Sequence, residues 1–245
     1  MRPLTDAELL AVWDQGAHRS LVERAVLLLQ AAGTGDDPQN PAQLSIGDRD
    51  ARLLQLREWM FGSRLQNIAD CPACGERMEW VNEVSDLRSA TGNTLLDPYF
   101  SLQVDAFTIR FRLPNSYDVS RASSEAAYRS NPRKLLTDCI LDAQKEASGC
   151  QAHDLPDEVL DKLSQQMALE DPQADVKMNV RCPACSYTWD LQFDIVHYLW
   201  TEVHNRAIHI LQDVVALASA FGWSESQILQ LSPRRRRLYL DIVRK

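Results

Sequence analysis

The residues best suited to chemistry are four cysteines in two copies of the tetrapeptide Cys-Pro-Ala-Cys, at residues 71–74 and 182–185. Each copy, called here the first and the second cysteine turn, places two thiolates on one tight turn. Two such turns brought together offer four sulfurs to one ion, which is the donor set of a structural Zn²⁺ site. The predicted zinc ligands are Cys71, Cys74, Cys182 and Cys185. A site made of four cysteines has no open coordination position, so we expect a structural metal and a chain that is not an enzyme.

The two cysteine turns are far apart in the chain, since 107 residues separate Cys74 from Cys182. Closing a loop of that length costs roughly 4 kcal/mol by the logarithmic loop-entropy rule. Structural Zn²⁺ binding is worth about 10 to 16 kcal/mol in small peptides, so the metal can offset this closure. The spacing therefore predicts a split zinc ribbon, in which one ion gathers both halves of the chain.

A different chemistry is open to a Cys-Pro-x-Cys turn, because thiol oxidoreductases use such a turn with the reactive cysteine at the start of a helix. Here segments with strand-like alternation follow both turns, at residues 75–81 and 187–195, and residues 176–180 lead into the second turn with the same period. β-Hairpins around both turns favour zinc over a redox pair using Cys71 or Cys182.

The remaining cysteines and histidines have simpler interpretations. Cys139 and Cys150 are candidates for a further ligand set or a reactive thiol, but Cys139 falls on an apolar face of a predicted helix, and buried thiols are common. His204 and His209 are five residues apart, a spacing that does not place both on one face of a helix as a four-residue spacing would.

Two charged runs also have alternative interpretations. Asp48-Arg49-Asp50 could suggest a divalent cation site, but carboxylates are favoured in the first turn of a helix by the backbone dipole. The run Arg234 to Arg237 hints at nucleic acid, yet four adjacent residues point around the whole helix and cannot follow one phosphate track. We expect this run to be a solvated or partner-facing helix surface. The sequence contains no P-loop, G-x-S-x-G or HExxH motif.

Bulk composition places the chain among ordinary globular proteins, with 245 residues and 45% hydrophobic content. Neither a secretion signal nor an apolar stretch long enough to span a membrane is present, so we expect a cytoplasmic protein with metal-bound rather than disulfide-bonded cysteines. The formal net charge of −8 disfavours nucleic acid and favours protein partners.

Hydrophobic periodicity predicts an α+β, mainly helical fold. The predicted helices are 6–32 (one or two helices, with Thr5 as N-cap), 45–64, 123–130, 132–147, 156–169, 195–221, 224–231 and 233–243, and a hairpin covers 100–113. Residues 33–41 form a turn-rich linker. The predicted regions are an N-terminal helical region (1–70), the split zinc ribbon (71–94 and 174–196), an inserted hairpin plus helices (95–173) and C-terminal helices (197–245).

Several segments together resemble a known family. They are residues 44–49 (Leu-Ser-Ile-Gly-Asp-Arg), 53–57, Phe61-Gly62, the first cysteine turn with Gly75, the turn at 111–116, the second cysteine turn and the ending at 222–231. These resemble the T4-type baseplate hub assembly chaperones of contractile phage tails, whose relatives accompany phage-like contractile injection systems. The resemblance implies a non-enzymatic protein that helps to build the baseplate, or is built into a phage-like particle, with baseplate hub or spike proteins as partners.

A second function stays open at this point, namely a zinc-ribbon nucleic-acid-binding or transcription-associated protein. It is motivated by the cysteine turns and the arginine run, and it predicts salt-dependent DNA or RNA binding that weakens when Arg235 and Arg236 become alanine.

Overall fold

The computed structural model describes residues 1–34, 40–89, 99–131, 133–146 and 148–243. The structure is α+β and mainly helical, as predicted. Its helices are α1 (Asp6–Gly16), α2 (Leu21–Ala32), α3 (Ile46–Phe61), α4 (Val84–Leu87), α5 (Ser116–Ser124), α6 (Ala126–Ser130), α7 (Lys134–Asp138), α8 (Asp157–Glu170), α9 (Ile195–Phe221), α10 (Glu225–Leu229) and α11 (Pro233–Val243). Its strands are β1 (Arg64–Asp70), β2 (Arg77–Glu83), β3 (Tyr99–Val104), β4 (Phe107–Arg112), β5 (Ile140–Lys145), β6 (Ser148–Gly149), β7 (Lys177–Arg181) and β8 (Thr188–Gln192).

The strands form three antiparallel sheets. β1 pairs with β2 and β7 pairs with β8, and each of these pairs is a hairpin whose turn carries one cysteine turn. The third sheet has the order β3-β4-β5-β6 and lies in the segment between the cysteine turns. Both cysteine turns therefore lie in β-hairpins, as the alternating residues predict.

The long helix α9 is the central element of the molecule. Its bounds agree with the prediction, because the Asp194 side chain accepts hydrogen bonds from the N–H groups of Val196 and His197 at its start, and Gly222 ends it in the left-handed region (φ 69°). Buried side chains recur along one face every three or four residues, at Leu199, Val203, Ala207, Ile210, Val214 and Leu217. Around this face pack α1, α2, α3, α10 and α11.

The N-terminal helices begin at capping boxes that the sequence encodes locally. Thr5 accepts a hydrogen bond from the N–H of Glu8, whose carboxylate accepts one from the N–H of Thr5, and Ser20 and Glu23 do the same for α2. The prediction of Thr5 as N-cap is confirmed. Of the predicted linker 33–41, residues 35–39 lie outside the described residues.

Most of the buried apolar side chains among the described residues belong to two apolar cores. The main core joins α1, α2, α3, both cysteine hairpins and the C-terminal helices, so segments from both ends of the chain share it. The second core lies in the inserted segment, where Ile109 and Phe111 of β4 pack with Leu163 of α8. The predicted division of the chain into four regions stays a prediction, and its boundary at residue 94 falls outside the described residues.

The cores meet where α3 begins. The N–H of Gly47 donates to Asp171 Oδ2 at 2.9 Å, immediately after α8. Close by, the buried Gln173 accepts from the N–H of Ser89 at 2.7 Å and donates to the Leu87 carbonyl oxygen at 3.0 Å. These bonds hold the inserted segment against the elements that carry the cysteines.

The structure corrects the predicted helix 132–147. Among the described residues of that range, only Lys134–Asp138 is helical, and Ile140–Lys145 is strand β5, paired with β4 from Phe107↔Lys145 to Phe111↔Ile140. Partner strand β4 lies about 30 residues earlier, and its free edge supplies hydrogen bonds that local periodicity cannot reveal. Pro132 and Ala147, the predicted ends of that helix, lie outside the described residues.

Two other predicted helices have different bounds. The helix predicted to reach Arg64 ends at Phe61, because Gly62 adopts φ 90° and strand β1 begins at Arg64. The helix predicted at 123–130 is two helices, α5 and α6, and α5 begins earlier, at Ser116, where the Asn115 side chain caps it. The predictions of the hairpin at 100–113, of α8, of α10 and of α11 are confirmed within two residues at each end.

Candidate metal centre

The two cysteine turns have the same local structure. In each, the N–H of the fifth residue donates to the carbonyl of the first cysteine, from Gly75 to Cys71 at 2.8 Å and from Ser186 to Cys182 at 3.0 Å. The N–H of each first cysteine donates in turn to the carbonyl of the residue five positions later, at 2.8 Å in both turns. Gly75 and Ser186 both have positive φ, at 77° and 62°. Such a turn aims both sulfurs of a hairpin to one side.

The fold brings all four predicted ligands together. Their Sγ atoms lie within 4.8 Å of one another. Across the two turns, Cys71 Sγ is 3.7 Å from Cys185 Sγ, and Cys74 Sγ is 3.6 Å from Cys182 Sγ. A tetrahedron with Zn–S bonds of about 2.3 Å has an edge of about 3.8 Å. The spacing of the sulfurs therefore fits one tetrahedral ion held equally by both hairpins.

One half of the sulfur cluster faces the main core and the other half faces outward. Cys71 and Cys182 are 3% and 1% exposed and pack with the core that includes Met78 and Val180, whereas Cys74 and Cys185 are exposed. The first cysteine of each turn thus anchors the cluster to the fold.

The thiols influence one another's ionisation. Burial raises the pKa of Cys71, but hydrogen bonds from the backbone N–H groups of Ala73 and Cys74, together with those of the Cys74 and Cys182 thiols, outweigh it and lower this pKa to about 7. The backbone hydrogen bond at Glu76 lowers the pKa of Cys74, yet the neighbouring thiols, first that of Cys185, raise it to about 12. Four adjacent thiols cannot all ionise without a counter-charge, and a bound dication supplies that charge while it displaces their protons.

The donor set determines what this centre can do. Four cysteine sulfurs around one ion would complete a tetrahedral shell and leave no position for substrate or water, a donor set that suits structural cross-linking. Among the described residues, this is the single group of three or more Cys, His, Asp or Glu side chains whose ligand atoms converge on one point.

The other cysteines and the histidines lie away from this centre. Cys139 is not on a helix face as predicted but caps the end of α7, where it is fully buried in the second core and burial raises its pKa to about 12. Cys150 is half-buried at the margin of the same core. His204 Nδ1 accepts a hydrogen bond from Trp13 Nε1 at 3.0 Å and so joins α9 to α1, while His209 is exposed.

The two charged runs also find structural partners. Asp48 lies in the first turn of α3, with its N–H donating to the Ser45 hydroxyl at 3.1 Å, and Asp50 pairs with Arg49 at 2.7 Å. The helix-start interpretation of this run is confirmed. In the arginine run, Arg236 contradicts the expected solvated surface, because it is 4% exposed and pairs with Asp6 at 2.6 Å.

Strand β1 is the element of the site that sequence reasoning missed. Its residues do not alternate cleanly between apolar and polar, since the buried positions include Asn67 as well as Leu65, while the apolar Ile68 is exposed. Symmetry between the two turns is the signal that could have found it, because residues 176–180 precede the second turn as a strand and the first turn needs the same support.

No helix in the described ranges combines the length and apolar character needed to cross a bilayer. A family model described as "T4 bacteriophage base plate protein" matches residues 6–199. The matched stretch is most of the chain and includes both cysteine hairpins, the inserted segment and the start of α9. No curated protein and no solved structure matches this chain.

Proposed function

We propose a role for the metal centre from one premise: this chain belongs to the T4 bacteriophage base plate protein family. As a T4-type baseplate protein, it is a structural component of a phage tail, contacts other baseplate components and is incorporated in a phage particle. Our proposal is that the chain is a non-enzymatic, zinc-pinned assembly factor of the baseplate, and that hub or spike proteins are its partners.

The observation that carries the metal assignment is the convergence of four Sγ atoms within 4.8 Å. Thiolate sulfur is a soft donor that favours Zn²⁺ over Mg²⁺ or Ca²⁺, and a closed tetrahedral shell of four cysteines is the common form of structural zinc. We propose that Cys71, Cys74, Cys182 and Cys185 hold one Zn²⁺ and that the two hairpins together form a split zinc ribbon.

The position of the centre supports a scaffolding function. The ligands Cys74 and Cys182 are 108 positions apart, and the whole second core lies between them. An ion at this point cross-links two hairpins that flank the inserted segment, and so limits how far that segment can move away from α9. A baseplate subunit that presents fixed surfaces to several neighbours benefits from such a cross-link. This scaffolding role does not involve catalysis.

Elemental analysis tests the metal assignment. Protein purified under reducing conditions should contain one zinc per chain. Cys182→Ser should lose the zinc, melt at a lower temperature and aggregate, because one missing thiolate weakens the cross-link between both halves of the chain. Cys150→Ser is the matched control, since it removes a thiol outside the cluster and should keep both zinc and melting temperature. Wild-type protein without stoichiometric zinc, or Cys182→Ser with unchanged zinc and stability, would overturn the assignment.

A separate experiment tests the assembly role. Purified hub and spike proteins of the same particle are mixed one at a time with the zinc-loaded chain, and binding is followed by size-exclusion chromatography. We expect at least one of them to form a complex. Repeated failure of every hub and spike protein to bind would overturn the proposed partners without affecting membership of the family.

A further inference from the structure

Helix α11 is held to the molecule by one face only. Arg236 and Leu240 are buried, and Arg236 Nη1 lies 2.6 Å from Asp6 Oδ2 on α1. Tyr239 packs edge-on against Trp223 and Phe221, at ring-centre distances of 4.9 and 5.7 Å. These contacts fix the rotation of the helix about its axis. The opposite face must therefore point outward.

That opposite face, called here the outer face of α11, combines three arginines with two large apolar side chains. It consists of Arg234, Arg235, Arg237, Leu238 and Ile242. Leu238 and Ile242 are 54% and 63% exposed and, being four residues apart, form one stripe along the helix. An open cleft adjoins this stripe and is lined by Pro233, Arg234, Arg237, Leu238 and Asp241.

The arginines of the outer face have no acidic partner within the described ranges of the chain. The chain as a whole carries a formal net charge of −8, whereas this face carries three arginines with one carboxylate, that of Asp241, in the adjoining cleft, so the face is a local reversal of the chain's charge. A partner attracted to this face must be acidic, because complementary charge steers encounter and fixes orientation.

The composition of the face favours a protein partner over nucleic acid. Arg236, the fourth arginine of the run, is turned into the core and cannot reach a phosphate. The apolar stripe of Leu238 and Ile242 offers nothing to a phosphate, but it suits apolar side chains of a partner helix.

We propose that the outer face of α11 docks an acidic amphipathic helix of another baseplate subunit, with that helix's apolar side chains on Leu238 and Ile242 and its carboxylates on Arg234, Arg235 and Arg237. This inference rests on the baseplate role but not on the zinc centre. The surface lies beyond residue 199, where the family match ends, so the match does not assign it.

Three variants of the full chain test the proposal. The first reverses the charge of Arg234, Arg235 and Arg237 to Glu, and the second is Leu238→Ser with Ile242→Ser. The matched control reverses three exposed arginines elsewhere, at Arg19, Arg64 and Arg129, and produces the same change in net charge. Each is tested by biolayer interferometry against each purified baseplate protein of the same particle, at low and at moderate salt.

We expect one baseplate protein to bind the wild-type chain in a salt-sensitive manner, and to bind each outer-face variant at least about tenfold more weakly, the loss expected when interface anchors are removed. The control should stay within about twofold at moderate salt, because its three charges lie outside the outer face and are screened there. Hydrogen exchange should show protection of an acidic segment of that partner, and reversing its carboxylates to Arg should restore binding to the triple Glu variant. The zinc content of both outer-face variants should equal that of the wild type. This result would show that a loss of binding does not come from damage to the metal centre.

Three results would overturn the proposal. One is that no baseplate protein distinguishes the outer-face variants from the control. Another is that a DNA duplex binds through these arginines while none of the proteins does. The third is that sedimentation shows self-association of the wild-type chain that the triple Glu variant loses, since the occupant would then be a second copy.

Discussion

Arg57 and Glu202 form a two-point ion pair across 145 positions of the chain, with Nε 2.9 Å from Oε2 and Nη2 2.7 Å from Oε1. The same guanidinium donates to the carbonyl oxygens of Gly62 and Arg64, at 2.6 and 2.8 Å. One side chain therefore joins the end of α3, the start of β1 and the first half of α9. It positions the first cysteine hairpin against the central helix.

Replacement of Arg57 by methionine should be strongly destabilising. The arginine side chain is 3% exposed, and its loss leaves the Glu202 carboxylate and two backbone carbonyls without their donor. Removing one partner of a buried ion pair costs about 3 to 5 kcal/mol, and we expect the lower value because Glu202 is 24% exposed. Urea denaturation followed by circular dichroism measures the free energy of unfolding.

Arg88→Met is the control for this variant. Arg88 pairs with Glu58 at 3.3 Å, but the two side chains are 38% and 34% exposed. Exposed pairs of this kind contribute about 0 to 1 kcal/mol, so the control should be nearly neutral. Equal losses in the two variants would show that Arg57 has no special structural role.

Gly47→Ala should weaken the junction between the two cores. A Cβ atom at Gly47 would lie 1.9 Å from Asp171 Oδ1 and 3.0 Å from the backbone nitrogen of Ala174. The carboxylate must move away and lose the hydrogen bond from the N–H of Gly47. Overpacking of this kind costs about 1 to 3 kcal/mol and the lost hydrogen bond about 1 kcal/mol more, so their sum exceeds the gain of about 1 kcal/mol from replacing glycine by alanine in a helix.

The control for this substitution is Gly149→Ala, where an added Cβ meets no heavy atom within 4 Å. Thermal unfolding of both variants gives the comparison. A Gly47→Ala protein as stable as the control would mean that Asp171 moves aside without loss.

The elements predicted well from sequence are those whose signals are local. The capping residue Asp194 and the left-handed Gly222 lie next to the two ends of α9, so both ends of this helix could be predicted. The cysteine turns also carry their own hairpin signal, and the fold brings together the four sulfurs selected from their spacing alone.

The elements predicted poorly depend on distant partners. Residues 140–145 have the composition of a helix, but they complete a sheet by pairing with β4. Arg236 is predicted to lie at the surface because it belongs to a run of four arginines, but Asp6, 230 positions away, draws it into the core. Neither outcome can be predicted from the local sequence, because the partner atoms belong to distant elements.

As the pH falls from 7 towards 4.5, the wild-type protein should gain stability relative to a variant with an uncharged side chain at position 50. Burial is the main cause that raises the pKa of Asp50 to about 6, against the opposing effect of Arg49, while Asp194 and Asp171 raise it further. A carboxyl whose pKa is higher in the folded than in the unfolded state stabilises the fold when protonated, and this contribution is lost as the pH rises through 6.

Asp50→Asn isolates this effect, since the amide oxygen can still accept the hydrogen bond from Arg49. The free energy of unfolding of the wild type, minus that of the variant, should fall by about 2 kcal/mol between pH 4.5 and 7. Taking the difference removes the pH dependence that both proteins share, including that of the thiols. A ¹³C NMR titration of the Asp50 carboxyl should show a midpoint near 6, and a midpoint near 4 would contradict the assignment.

The last prediction concerns the residue that follows the second cysteine of each turn. Gly75 and Ser186 occupy equivalent positions and both have left-handed φ, at 77° and 62°. This conformation costs a residue with a Cβ about 1 to 2 kcal/mol, whereas glycine adopts it freely but loses more entropy on folding, about 0.5 to 1 kcal/mol. Ser186→Gly should therefore stabilise the zinc-loaded protein slightly, by about 0.5 to 1 kcal/mol.

The reciprocal change, Gly75→Ser, should destabilise the first cysteine hairpin by a similar amount, and the double exchange should restore wild-type stability. Ser186→Ala is the control, because it removes the hydroxyl but keeps a Cβ in the left-handed region, and it should bring no gain. Melting temperatures at saturating zinc measure all four proteins. Stabilisation by Ser186→Gly without stabilisation by Ser186→Ala assigns the effect to the backbone of the turn. Equal behaviour of the two variants would instead assign it to the serine side chain, because they share only the loss of its hydroxyl.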